Sequence, residues 1–163
     1  MVKRIPVEMI EQITGSGNSS ANGVDREVYF FGHDLVIKDD GGQGPGGAND
    51  REYRNYRRFI RRKPMSFEYE GELWHVRFPK TTRVNGYLIQ ERIHAPHAPE
   101  PEDCQTCDAG SGMWDHGGNC AEWDFQVAID LYLSDALGLA DMHGGNYCVD
   151  HKNKTIYVID MAD

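Results

Sequence analysis

The apolar positions of this chain change period several times, and those changes divide it into elements. Residues 26–31 (Arg26, Glu27, Val28, Tyr29, Phe30, Phe31) are dense in aromatic and β-branched side chains, Gly32-His33-Asp34 interrupts them, and Leu35-Val36-Ile37-Lys38 resumes the pattern. This predicts two strands joined by a turn. Ahead of the hairpin, residues 2–13 read as a short helix or strand and residues 14–23 as a loop of small residues. Behind it, residues 39–47 are glycine-rich and predict a flexible connection. The period then lengthens: Tyr53, Tyr56, Phe59 and Ile60 recur at helical spacing. A helix is expected from about Asn49, with Asn49 as its cap, Glu52 completing a capping box, and Pro64 ending it. Residues 73–78 and 86–93 return to a strand pattern, so the first half reads as a small sheet with one helix.

Residues 94–119 lose periodicity and gather Pro, Gly and Cys, which predicts a loop or small insertion. Helical spacing returns over residues 121–137, where Phe125, Ala128, Ile129, Tyr132, Leu133 and Ala136 form one apolar stripe and Gly138 supplies a C-terminal cap. A loop over residues 139–146 follows, then two short strands, 147–149 and 156–159, around a polar turn at 151–154. The expected fold class is α+β.

A length of 163 residues fits one domain, or two small lobes sharing a cleft. The formal net charge of −9 argues against a nucleic-acid-binding or membrane-surface protein. No run approaches the ~18 apolar residues of a membrane span, and the N-terminus leads into no apolar core of the kind a signal peptide carries. A cytoplasmic location is therefore expected, in which the four cysteines are thiols or metal ligands before they are disulfides. Against this acidic background Arg51, Arg54, Arg57, Arg58, Arg61, Arg62 and Lys63 form a basic run. It is either the solvated face of a helix or the contact for a phosphate-rich or acidic partner.

The segment Asp141-Met142-His143-Gly144-Gly145-Asn146 places an acid, a histidine and an amide together, and the hairpin after it returns a second acid, Asp160. Such a set suits phosphoryl transfer from a Mg²⁺-bound nucleotide: one acid orients the acceptor, while hard oxygen donors hold the metal. Asp-x-His-x-Gly-Asn is also the catalytic-loop pattern of the aminoglycoside-phosphotransferase and small-molecule-kinase branch of the protein-kinase-like superfamily, which this chain resembles at every specified position. The run Arg26-Glu27-Val28-Tyr29, then Val36-Ile37-Lys38, then Asn49-x-x-Glu52 resembles the nucleotide lobe of short kinase-like proteins in phage and bacterial genomes.

The resemblance implies a bilobal kinase-like fold, with residues 1–90 as nucleotide lobe and residues 91–163 as a C-terminal lobe shortened to the catalytic loop and the insertion at 94–120. It implies ATP and Mg²⁺ as cofactors. Asp141 would align the acceptor hydroxyl, Asn146 and Asp160 would hold Mg²⁺, and His143 would brace the loop. Lys38 would meet the α/β-phosphates and Glu52 would hold Lys38. The loop bearing Gly15, Ser16, Gly17, Ser19 and Ser20 would cover the phosphates, and backbone groups near Glu91 and Ile93 would receive adenine. Glu52 as a capping-box residue and Glu52 as partner of Lys38 are competing roles that one carboxylate cannot fully serve.

Cys104, Cys107, His116 and Cys120 form a second constellation, three thiols and an imidazole suited to tetrahedral Zn²⁺. Free thiols or a disulfide remain open readings of the same residues. The sequence ends three residues after Asp160, so the acceptor site is expected from the insertion, from another chain, or from no separate acceptor at all. The expected activity is transfer of the γ-phosphate of Mg·ATP to a hydroxyl of a protein or small molecule, directed at host factors in a host cytoplasm if the chain is phage-encoded. Partners on this reading are ATP, the acceptor, and a second copy or a host protein against the 121–137 helix. The alternative is a catalytically inactive kinase-shaped decoy or adaptor, and transfer of a nucleotide fragment is a third reading.

Overall fold

The computed structural model describes residues 5–22, 26–96, 121–140 and 142–162. The fold is α+β. In chain order the elements are α1 (Val7–Thr14), β1 (Ala21–Asn22), β2 (Glu27–Phe31), β3 (Leu35–Asp39), α2 (Ala48–Phe59), β4 (Met65–Tyr69), β5 (Glu72–Arg77), β6 (Thr81–Val84), β7 (Tyr87–Glu91), α3 (Ala121–Leu137), β8 (Tyr147–Asp150) and β9 (Thr155–Val158). They group into two compact units. One comprises Met1–Arg62, Phe78–His94 and Met161–Asp163, the other Lys63–Arg77 and Ala95–Asp160. Among the described residues no helix is long and apolar enough to cross a membrane.

The first unit is built on an antiparallel sheet of order β1-β2-β3-β7-β6. Register decides what each face carries. Tyr29, Ile37 and Ile89 lie side by side, as do Val28, Lys38 and Leu88, and because successive side chains alternate across a strand the two rows face opposite ways. The first row packs with Ile5 and with Ile10 of α1. Burying each of these isoleucines contributes roughly 1.5–3 kcal/mol. The second row faces α2, whose Glu52 reaches Lys38. Both faces are thus covered, which is why the adjacent Ile37 and Lys38 are both buried. The expectation of one helix in this half is corrected: α1 covers the face that α2 leaves open. The tight link from β6 to β7 is Asn85-Gly86, both at positive φ (48° and 90°), the backbone a two-residue hairpin turn demands.

The predicted capping box does not form. The helix starts at Ala48 with Gly47 as its cap residue, so Asn49 lies in the first turn and is buried. Its N–H donates to Asp40 Oδ2 at 3.0 Å, a cap supplied from outside the helix. A Cβ on Gly47 would fall 2.6 Å from the Gln43 Cβ and 2.7 Å from Asp40 Oδ2, so this approach requires glycine. The helix closes at Phe59 with Ile60 as its C-cap, ahead of Pro64.

The second unit holds a sheet of order β4-β5-β9-β8. Its β5 and β9 pair in parallel, His75 with Thr155 and Val76 with Ile156. That pairing places the β4–β5 hairpin with the C-terminal residues, so the units interleave in sequence where a single boundary after residue 90 was expected. Helix α3 has the predicted bounds. Ile129, Leu133 and Leu137 are fully buried, and Gly138 ends it at φ 68° with its N–H on the Ser134 carbonyl at 2.8 Å. Phe125 packs against Trp74 with ring centres 4.6 Å apart, and Tyr132 against Phe67 at 4.9 Å.

Candidate functional site

In the first unit the candidate groups converge on Glu52, whose side chain is wholly excluded from solvent. Lys38 Nζ donates to its two oxygens at 2.9 and 3.0 Å. Arg26 Nη1 donates to Oε2 as well, and Gln90 Nε2 donates to Oε1 at 3.0 Å. A lone buried carboxylate would be expelled or neutralised, but one that receives two cations and an amide is held ionised. Lys38 and Gln90 reach it because they lie two register steps apart on the inward face of neighbouring strands. Asn49 locks the assembly, donating from Nδ2 to the Lys38 carbonyl at 2.9 Å and the Gly86 carbonyl at 3.0 Å. The competition over Glu52 therefore resolves in favour of the ion pair. Sequence reasoning missed Arg26, Asn49 and Gln90 as members of this network. The one signal available was a polar Gln90 following the apolar Leu88-Ile89.

The small-residue loop is engaged elsewhere. Gly15 N–H donates to the Glu11 carbonyl at 2.8 Å and Ser16 Oγ to the Ile13 carbonyl at 2.7 Å, ending α1. Ser20 Oγ accepts from the Phe30 N–H at 3.0 Å, and Gly17 turns the chain at φ 69°. Ser19 is half-buried. Donors expected to face phosphates at Gly15 and Ser16 are thus committed to a helix end. Glu91 donates its N–H to the Lys80 carbonyl at 2.8 Å, which removes one of the backbone groups assigned to adenine. Ile93 lies half-buried just beyond β7.

In the second unit the loop before β8 is tied to itself and to the strand that returns to it. His143 Nδ1 accepts from the Gly145 N–H at 3.1 Å, while Asn146 Oδ1 accepts from the His143 N–H at 3.1 Å. The imidazole thus braces the loop, as expected of it. A Cβ on Gly145 would lie 2.9 Å from His143 Cε1, so any larger residue would displace the ring. The Asn146 carbonyl accepts from the Ile159 and Asp160 N–H groups at 2.8 and 3.1 Å. Residues 14 apart in sequence are thereby brought to adjoining backbone positions. Asn146 and Asp160 offer hard oxygens only, and Asn146 Oδ1 keeps a second lone pair beyond the one it uses on His143. This donor set fits Mg²⁺. Asp141, Cys104, Cys107, His116 and Cys120 lie outside the described residues.

The loop is anchored from below by Tyr147, whose hydroxyl donates to Asp130 Oδ1 of α3 at 2.7 Å. Burial, with the Asp130 carboxylate beside it, pushes the Tyr147 hydroxyl pKa far up. Asp130 is itself raised by burial, against the opposing effects of the Tyr147 hydrogen bond and the charge of His143. Burial raises the neighbouring Cys148 thiol to about 11, which marks it as a core residue.

Comparison of the chain with protein-family models, with curated proteins and with solved structures found no match.

Proposed function

We propose that this chain is a kinase-like phosphotransferase that uses Mg·ATP to phosphorylate a hydroxyl on a protein or small molecule. The observation that carries this reading is the buried Lys38–Glu52 pair, a strand lysine fixed by a helix carboxylate at 2.9 Å. A buried ion pair is weak as a stabilising device, whereas a lysine held at a fixed position serves phosphate binding well. Lys38 would meet the nucleotide phosphates, Asn146 and Asp160 would hold Mg²⁺, and Asp141 would align the acceptor. Magnesium, when bound, neutralises charge on the transferring phosphoryl group. His143 keeps the loop closed so that the donors around it hold their positions.

The test is incubation with Mg²⁺ and γ-³²P-ATP, wild type beside Asp141→Ala and Lys38→Met, with nucleotide binding followed by thermal shift. Labelling or ATP loss in the wild type, absent from Asp141→Ala while binding persists, is the expected result. Equal turnover in both chains would remove Asp141 from the mechanism. A second reading, a non-catalytic kinase-shaped adaptor, is favoured by the spent donors of Gly15 and Ser16. It predicts neither turnover nor Mg·ATP binding.

A further inference from the structure

Outside these groups, the turn between β2 and β3 and the segment leaving β7 bring His33, Asp34 and His94 together. Each can offer one ligand atom, and the three atoms lie within 4.8 Å of one another. The two imidazoles stack with centroids 4.2 Å apart at 24°. The backbone beneath them is fixed, because the Arg92 N–H donates to the Asp34 carbonyl at 2.8 Å. We infer that His33, His94 and Asp34 form a surface site for a late divalent transition metal, zinc by class, which clips the β2–β3 turn to the exit of β7.

Three observations carry this. First, His33 Nδ1 lies 3.0 Å from Asp34 Oδ1. An ionised carboxylate only accepts, so Nδ1 carries the proton and Nε2 presents its lone pair, the ligand tautomer. Second, two stacked imidazolium rings would repel one another, so the stack favours neutral rings, the form a metal binds. Third, the neighbouring cation does not neutralise the site: the Arg92 guanidinium sits 3.8 Å over the Phe30 ring, and among the described residues it makes no ion pair with Asp34. Two nitrogens and one oxygen suit zinc or its neighbours over Mg²⁺ or Ca²⁺, with water completing the sphere. Donors on a tetrahedral zinc lie roughly 3.3 Å apart given bond lengths of about 2.0–2.1 Å. All three side chains are exposed, so rotation about their χ angles can close the remaining gap.

The competing thiols at Cys104, Cys107 and Cys120 set the design of the experiment. Zinc is titrated calorimetrically into the full chain with those three cysteines replaced by serine, then into the same chain also carrying His33→Ala and His94→Ala. Saturable binding in the first chain, weakened by at least ~100-fold in the second, is expected. Asp34→Asn should cost about 10–100-fold, the range for a group that orients a ligating histidine. No saturable binding to the serine chain, or equal affinity after loss of both histidines, overturns the inference. Should the serine chain fail to fold, imidazole ¹⁵N resonances of the wild type are followed during zinc addition. His33 and His94 ring nitrogens that do not move at saturation would also overturn it.

Discussion

Replacing Glu52 by Ala should destabilise the first unit by about 3–5 kcal/mol, the cost of breaking a buried ion pair from one side. The magnitude can be worked from the geometry. At 2.9 Å and an effective dielectric of about 20, one charge pair is worth about 6 kcal/mol. Arg26 shares the same carboxylate, so the gross attraction is roughly twice that. Desolvation of several kcal/mol per ion offsets most of it. Alanine removes the attraction and leaves two cations whose side chains are 5% and 7% exposed, so solvent screens little of the loss. At about 2–4 °C per kcal/mol, the melting transition should fall by roughly 6–20 °C in a calorimetric scan. The control is the triple change Arg26→Met, Lys38→Met, Glu52→Leu, which removes all three charges and should be neutral or stabilising by about 1–4 kcal/mol. A loss below ~1 kcal/mol for Glu52→Ala would refute the reasoning, since the carboxylate would then not be holding those cations.

Three further outcomes are expected. Tyr147→Phe should cost about 1–3 kcal/mol in urea unfolding, because Asp130 loses the hydroxyl that donates to it inside the fold; an unchanged midpoint would deny that anchor. Cys148 should resist iodoacetamide at pH 8 in the native chain, as its thiol is raised to about 11 by burial, and should alkylate on unfolding; peptide mass spectrometry reads the site directly. Asp50 is held below its ordinary 3.8, first by the Gly46 N–H and then by Arg54 and Arg83, against an opposing effect of burial. Its stabilisation is therefore complete above that value and is lost as pH falls through the lower folded value. Asp50→Asn should lose stability at neutral pH and flatten the acid limb of the stability profile, and a limb of unchanged slope would contradict the assignment.

Elements whose signal is local were legible in the sequence. The stripe through Ile129 and Leu133 and the cap at Gly138 defined α3, because both arise within a few helical turns of one segment. The β2–β3 and β8–β9 hairpins were legible for the same reason, and with β8–β9 came the return of Asp160 to Asn146. Lys38 and Glu52 were paired by resemblance, and the side chains do meet. Legibility stopped where a contact is chosen by burial among distant segments. Thr81–Val84 is polar and short, and only its register against Tyr87–Gln90 makes it a strand. Nothing near His75 announces its parallel pairing with Thr155.

The sequence alone determined the periods, the turns and the inventory of reactive groups, since these follow from the chemistry of neighbouring residues. Tertiary structure decided which roles those groups take. Glu52 left the helix cap because a carboxylate removed from water is held more strongly by two cations than by one backbone amide, and Asp40 became the cap in its place. Arg26 and Gln90 joined the network because the strand pleat aims them at that carboxylate. His33 and His94 met because the sheet sets the β2–β3 turn beside the end of β7, a proximity that no spacing in the chain encodes.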